Sequence, residues 1–169
     1  MSISIDKQVI ELKNDAASYS KLGDFSKAQK MIKKALELNP NSNNLVHELA
    51  KINLKFKNYD LSLELLLGLE NRVSKKKILY KDLGLAYFGL GKLEKALYYS
   101  DKALEESQEY IEALVLKGKN LRELENYEEA IMLFDKVLLK DSDHRDALYQ
   151  KGKINHNLGK YREALDLFD

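Results

Sequence analysis

The sequence predicts an all-α solenoid, in which similar antiparallel helix pairs stack along one axis. Three observations support this prediction. Large apolar residues repeat with a fixed step, and their spacing within one copy is helical. Small residues repeat with the same step of 34 residues, at Ala28, Ser62, Ala96, Ala130 and Ala164. A period of this length is typical of stacked supersecondary units, so residues 1–169 are predicted to form a single array.

The other columns of the pattern keep the same register, with no insertion or deletion between copies. A second small position recurs at Ala16, Ala50, Gly84, Gly118 and Gly152. One large apolar position recurs at Leu12, Val46, Tyr80, Leu114 and Leu148. Another recurs at Leu22, Phe56, Leu90, Leu124 and Leu158. The predicted units therefore cover residues 9–42, 43–76, 77–110, 111–144 and 145–169, of which the last is incomplete.

Each unit is predicted to contain two helices joined by a tight turn. In the first unit, residues of one helical face lie three or four positions apart, at Leu12, Ala16, Tyr19 and Leu22. A second apolar stripe starts at Phe25, directly after Gly23 and Asp24. Glycine can adopt the positive φ that ends a helix, and aspartate suits a turn. These two residues therefore mark the joint between the helices.

The joints between units are short, and each offers a residue whose side-chain oxygen could cap the next helix. The candidate N-caps are Ser42, Ser74, Ser107 and Asp143. The second unit departs most from the pattern, because Ser62 replaces an alanine and Ser74 stands where the first unit has Pro40. Altered packing or a shifted helix end is expected there.

These positions resemble the tetratricopeptide repeat, a helix-turn-helix unit of the same length. The first unit matches it at Leu12, Ala16, Tyr19, Gly23, Phe25, Ala28, Ala35 and Pro40. The resemblance covers nearly everything from Val9 to Asp169. It implies a right-handed superhelix in which the first helix of every unit lines a concave groove, and a role in binding other proteins.

The resemblance also implies which side chains face that groove. The groove columns contain eight basic residues and three acidic ones, whereas the whole chain has a net charge of +1. A concave wall of one sign attracts an oppositely charged partner, and apolar residues lie among the lysines. The predicted ligand is therefore an acidic peptide or helix with apolar anchors. The candidate groove residues are Lys13, His47, Lys51, Leu54, Lys55, Ile78, Lys81, Leu85, Phe88, Lys119, Arg122, Tyr149 and Lys153.

Three other interpretations of these surfaces stay open. The lysines could be ordinary solvated residues, with Leu85 and Phe88 packed between first helices. The chain could self-associate into a homo-oligomer, because Leu165, Leu167 and Phe168 are expected near an open end. That end also suggests a fragment of a longer protein. RNA binding is disfavoured by the low net charge and by the few aromatic residues in the groove.

Several functional classes are excluded by what the sequence lacks. With no cysteine there is no disulfide framework or thiolate site. His47, His144 and His156 show no metal-ligand spacing, and neither a phosphate-binding loop nor a nucleophile elbow occurs. We therefore expect neither enzymatic activity nor a cofactor. No apolar run approaches the roughly 18 residues of a membrane helix, and Met1–Asp6 do not resemble a secretory signal. A cytoplasmic protein without membrane contact is expected.

Overall fold

The computed structural model describes residues 4–168, and the regular secondary structure of this range is entirely helical. Ten helices follow one another along it. They are α1 (Ile5–Lys21), α2 (Phe25–Leu38), α3 (Asn43–Lys55), α4 (Tyr59–Leu69), α5 (Lys77–Gly89), α6 (Leu93–Glu106), α7 (Ile111–Glu123), α8 (Tyr127–Leu138), α9 (Arg145–Asn157) and α10 (Tyr161–Leu165). The predicted all-α fold class is confirmed.

The helices form five consecutive pairs, α1–α2 to α9–α10, and every helix also packs on the next one along the chain. The first helices additionally contact each other from α3 to α5, α7 and α9, whereas the second helices pack on first helices. Helices that lie closer together belong to the inside of a curved array. The first helices therefore form the inner surface, defined here as the faces of α1, α3, α5, α7 and α9 that point away from the second helices.

The turn inside each pair has the predicted geometry. In the first pair, Gly23 has a φ of 79° and Asp24 caps α2, accepting a hydrogen bond from the Lys27 amide at 3.1 Å. The corresponding residues of the other pairs also have positive φ, namely Lys57, Gly91, Glu125 and Gly159. The left-handed conformation is thus kept even where the residue is not glycine.

Small residues on the first helices make room for large ones on the second. A Cβ added to Gly118 would lie 2.7 Å from the Phe134 ring, and one added to Gly152 would meet the Phe168 ring even more closely. In the third pair a serine stands at the phenylalanine position. The side chain of Leu116, from the next pair, approaches Gly84 there instead.

The apolar core runs along the array as three clusters. The first joins α1, α2 and α3, the second joins α3 to α7, and the third joins α7, α8 and α9. The half-buried Leu65 contacts the first and second clusters, and the half-buried Leu104 contacts the second and third. No side chain within residues 4–168 contacts all three clusters, so each helix pair is stabilised mainly by contacts with its neighbouring pairs.

The second pair shows the expected shifted helix end. Helix α4 has 11 residues, against 14 in α2, and it ends at Leu69. Ser62 is fully buried there, and its hydroxyl donates to the Ala50 carbonyl at 3.0 Å. The serine therefore satisfies its own polar group inside the close contact between α3 and α4.

Only one of the four candidate N-caps is confirmed: the Ser42 hydroxyl accepts from the Leu45 amide at 3.3 Å. The predictions for Ser74, Ser107 and Asp143 are wrong, because the joints run further before the next helix begins. The N-cap residues there are Lys76, Tyr110 and His144. Of these, only the His144 ring caps, its Nδ1 accepting from the Ala147 amide at 3.2 Å.

Among the helices described for residues 4–168, none combines the length and apolar character needed to cross a lipid bilayer.

Candidate functional site

Three clefts open on the inner surface, between neighbouring first helices. The first cleft lies between α1 and α3 and has a volume of about 350 Å³. The second cleft lies between α3 and α5, with about 220 Å³, and the third lies where α5, α7 and the start of α9 meet, with about 270 Å³. The first has the largest volume of the three, and α1 and α3 make little direct contact, unlike the later first helices.

The first cleft has an apolar floor and a basic rim. Its lining residues are Lys13, Asn14, Ala16, Ala17, Ser20, Lys21, Ile32, Glu48, Lys51, Ile52 and Lys55. Among these lining residues, four lysines face a single carboxylate, that of Glu48. Its Oε1 lies 3.0 Å from Lys51 Nζ. The other rim lysines contact neutral groups: Lys13 donates to Asn44 Oδ1 at 3.0 Å, and Lys55 donates to Ser20 Oγ at 3.4 Å.

The charge on this rim is therefore largely uncompensated. Within residues 4–168, Lys13, Lys21 and Lys55 have no carboxylate oxygen within 4.0 Å. Ala17 and Ser20 have short side chains on the α1 side of the cleft, so a ligand can approach the apolar floor between the lysines. The arrangement suits a chain that is both acidic and partly apolar.

An ionic cluster adjoins the second cleft: His47 lines this cleft and Lys81 lines the third. Lys75 also lines the second cleft, and within residues 4–168 it has no carboxylate oxygen within 4.0 Å. Asp82 is only 1% exposed and accepts from His47 Nε2 at 2.8 Å through one carboxylate oxygen, while its other oxygen pairs with Lys81. Burial raises the pKa of Asp82, but the His47 hydrogen bond and the Lys81 charge outweigh it and hold that pKa below its ordinary value. The carboxylate thus neutralises Lys81.

The third cleft is balanced in charge, because Lys81 and Lys119 line it together with Glu112 and Asp146. Its apolar part is formed by Leu85, Val115 and Leu116. Beside them, Asp146 accepts from Lys119 Nζ at 2.5 Å and from Gln150 Nε2 at 3.0 Å. Burial raises the pKa of Asp146, yet these hydrogen bonds lower it overall. This cleft can hold an apolar side chain, but it has little net charge.

The remaining predicted groove residues are not gathered at one place. Leu54 packs against the second core cluster, and Phe88 is half-buried but lines none of the three clefts. Arg122 is 10% exposed and pairs with Glu123. Tyr149 lies 52% exposed at the far end, where Lys153 Nζ is 5.7 Å from its ring centroid.

The predicted charge of the inner surface misses two carboxylates, Glu48 and Asp82, which line or underlie the clefts. Including them lowers the net charge of the groove columns from +5 to +3. At steps of 34 residues, this position is polar in four of the five units, as Asn14, Glu48, Asp82 and Gln150. That repeated polar position could have indicated from the sequence that these side chains lie near the inner surface.

No group of three histidine, aspartate or glutamate side chains within residues 4–168 is arranged to hold a metal ion. What the inner surface offers is electrostatic attraction and apolar contact.

Two family models match the chain. One, described as Tetratricopeptide repeat, matches residues 9–42. The other, described as Anaphase-promoting complex, cyclosome, subunit 3, matches residues 89–169. A comparison with curated proteins finds no match.

Solved structures share the fold. The chain is 21% identical to TTC0263, a thermophilic TPR protein of Thermus thermophilus, with a TM-score of 0.84 and coverage of 94% of this chain and 87% of that one. For YrrB, described as a TPR protein with an unusual peptide-binding site, the identity is 23%, the TM-score 0.65 and the coverage 94% and 82%. For MamA of Desulfovibrio magneticus RS-1, the values are 26%, 0.70, 82% and 79%.

The family match at residues 9–42 has the length of one repeat, and the same register continues through all five helix pairs. Residues 9–42 therefore match the tetratricopeptide repeat family, and the other helix pairs share the length, register and fold of that repeat.

Proposed function

We propose that this protein is an interaction scaffold that binds an acidic peptide segment with apolar anchors on its inner surface, chiefly in the first cleft. The observation that supports this most directly is the basic rim around an apolar floor, where Lys13, Lys21 and Lys55 lack carboxylate partners within residues 4–168. In α5 and α7 the groove cations Lys81, Lys119 and Arg122 are paired with acids, and Lys153 of α9 lies beside the Tyr149 ring, so the unpaired lysines are most numerous around the first cleft.

The proposed role is binding and not catalysis, as is usual for a family of interaction modules. YrrB, a relative in fold, is described as having a peptide-binding site. Lysines would steer the acidic segment and fix its register, while apolar contact with the exposed Ala17 would supply buried area. Because the lysines are exposed to solvent, binding should weaken as salt is added.

A charge-reversal experiment tests this proposal. The variant Lys13→Glu/Lys55→Glu alters the first cleft, and the matched control Lys30→Glu/Lys33→Glu makes the same change of charge on the exposed outer face of α2. Proteins captured from lysate by the parent chain would be identified by mass spectrometry. We expect captured proteins with acidic segments to be lost from the cleft variant and kept by the control. Equal losses from both variants would contradict a specific site.

Self-association is a second candidate, favoured by apolar residues exposed on the last helix pair. Tyr149 and Phe168 are 52% and 46% exposed, and their ring centroids are 5.8 Å apart in a cleft of about 530 Å³. Burying both side chains would favour association. Light scattering on the parent chain and on Tyr149→Ser measures this directly. A monomeric mass at high concentration in both would exclude it.

A further inference from the structure

The last helix pair presents an apolar surface at one end of the array. We define this end face by four exposed residues, Tyr149, Tyr161, Leu165 and Phe168. One repeat earlier, the same register positions hold Val115, Tyr127, Ile131 and Phe134. Those residues are buried or half-buried, because they pack in one cluster with Ala147 and Ile154 of α9. The end face therefore has the composition of a surface on which a further helix packs.

The opposite end of the array does not match this surface. Ala147 and Ile154, which seat α9 on α8, are fully buried. The same register positions of α1 hold Glu11 and Ser18, and both are exposed. If α1 of a second copy packed on the end face as α9 packs on α8, the Glu11 carboxylate would be buried at a cost. Head-to-tail stacking of copies is thus disfavoured, whereas two end faces can bury each other.

The charges beside the end face also favour a second copy as the partner. Helix α10 and its two capping residues carry two basic and two acidic side chains, Lys160, Arg162, Glu163 and Asp166. All four are exposed, and within residues 4–168 none has an oppositely charged side chain within 4.0 Å. Two copies would therefore meet without net repulsion, and each cation could pair with an acid of the other copy. A strongly acidic or strongly basic partner would be opposed by two of the four.

We infer that two copies associate through their end faces about a twofold axis, with Leu165 of each copy entering the open cleft beside Tyr149 and Phe168 of the other. That cleft has a volume of about 530 Å³, and Leu148 and Leu167 complete its apolar wall. Because both copies use the same surface, the assembly closes at two chains. This inference rests on self-association, the second candidate above, and specifies its surface and symmetry. The dimer would carry two first clefts, one on each chain.

The mass in solution tests the choice of surface. The four side chains are only partly exposed, so they bury less than the roughly 800 Å² per partner of a typical stable interface. We therefore expect a weak dimer and would measure light scattering at protein concentrations up to about 1 mM. The mass of the parent chain should rise from one chain towards two. Leu165→Glu should stay monomeric, whereas Leu139→Glu, which alters an 88% exposed leucine outside the end face, should behave as the parent. Thermal unfolding followed by circular dichroism checks that both variants are folded.

Cross-linking tests the symmetry, and the absence of native cysteine makes single-cysteine variants specific. A short bismaleimide should join two chains of Leu165→Cys and leave Leu139→Cys unlinked. In a mixture, Glu11→Cys should not be joined to Leu165→Cys. A mixed product that forms in preference to the Leu165→Cys dimer would show head-to-tail stacking and overturn the twofold arrangement.

The outcomes separate this inference from the proposals on which it rests. A parent chain that stays monomeric at every concentration would overturn both self-association and this inference. Association that persists in Leu165→Glu would leave self-association standing and overturn the assignment to the end face. A mass that grows beyond two chains would contradict a closed dimer. None of these results bears on the first cleft, whose charge-reversal experiment is independent.

Discussion

At the scale of single residues, two side chains hold a backbone conformation that glycine adopts with less strain. Lys57 and Glu125 have φ of 58° and 61°, at register positions where Gly23, Gly91 and Gly159 stand in the other pairs. The left-handed conformation costs a residue with a Cβ roughly 1–2 kcal/mol, part of which glycine gives back through its freer unfolded state.

We therefore expect Lys57→Gly to raise the free energy of unfolding by about 0.5–1 kcal/mol. Urea denaturation followed by circular dichroism measures the change. Lys57→Ala removes the same charge but keeps the Cβ, so it should give no such gain. Equal stabilisation by alanine and glycine would show that the charge, and not the backbone, causes the effect.

The buried carboxylate of Asp82 should make stability depend on pH. Because its pKa is lowered in the folded state, its contribution is fully present above the ordinary carboxyl pKa of about 3.9 and is lost as the pH falls through the folded value. Asp82→Asn should therefore be less stable than the parent by about 1–3 kcal/mol near pH 6.

The difference in the free energy of unfolding between the parent chain and Asp82→Asn should shrink as the pH approaches the lowered pKa of Asp82. Subtracting the two curves also removes the similar contribution of Asp146, whose pKa is lowered as well. Thermal unfolding at a series of pH values provides the data. A difference in the free energy of unfolding that stays constant down to acid pH would mean that the variant disturbs packing, and not the hydrogen bond with His47 and the ion pair with Lys81.

At the scale of helix pairs, glycine and phenylalanine form matched positions across the contact between α7 and α8. A Cβ at Gly118 would meet the Phe134 ring at 2.7 Å, so Gly118→Ala should cost about 1–3 kcal/mol through overpacking. The second pair has Ala50 and Leu66 at the same register positions. Phe134→Leu should therefore relieve part of the cost of Gly118→Ala, and a double-mutant cycle would measure the coupling. Additive effects of the two changes would contradict this packing argument.

The helix pairs and their turns could be predicted because the signals are local: apolar spacing sets each helix, and Gly23 with Asp24 sets the turn. Helix starts at the joints could not, since Ser74 and Ser107 have suitable side chains but lie before the point where the chain turns into the next helix. The pairing of charges in the groove could not be predicted from the sequence either. The bond between His47 and Asp82 joins residues 35 positions apart, and only the stacking of α3 on α5 brings them together.

At the scale of the whole molecule, the arrangement of the core predicts limited cooperativity. The three apolar clusters follow the array, and the second and third share Leu104. In a linear array each pair is stabilised by its neighbours, so unfolding depends on the contacts that couple adjacent units. Weak coupling at one such contact lets the two sides open separately.

We expect Leu104→Ala to uncouple the helices on its two sides, whereas Leu97→Ala removes the same side chain from a position that contacts only the third cluster. Both side chains are half-buried, so each truncation should cost about 1–3 kcal/mol. Only Leu104→Ala should also lower the dependence of unfolding on urea and separate the hydrogen-exchange rates of α7–α9 from those of α3–α6. Because the two variants lose the same atoms, identical urea dependence and identical exchange patterns would show that coupling between these clusters does not pass through Leu104.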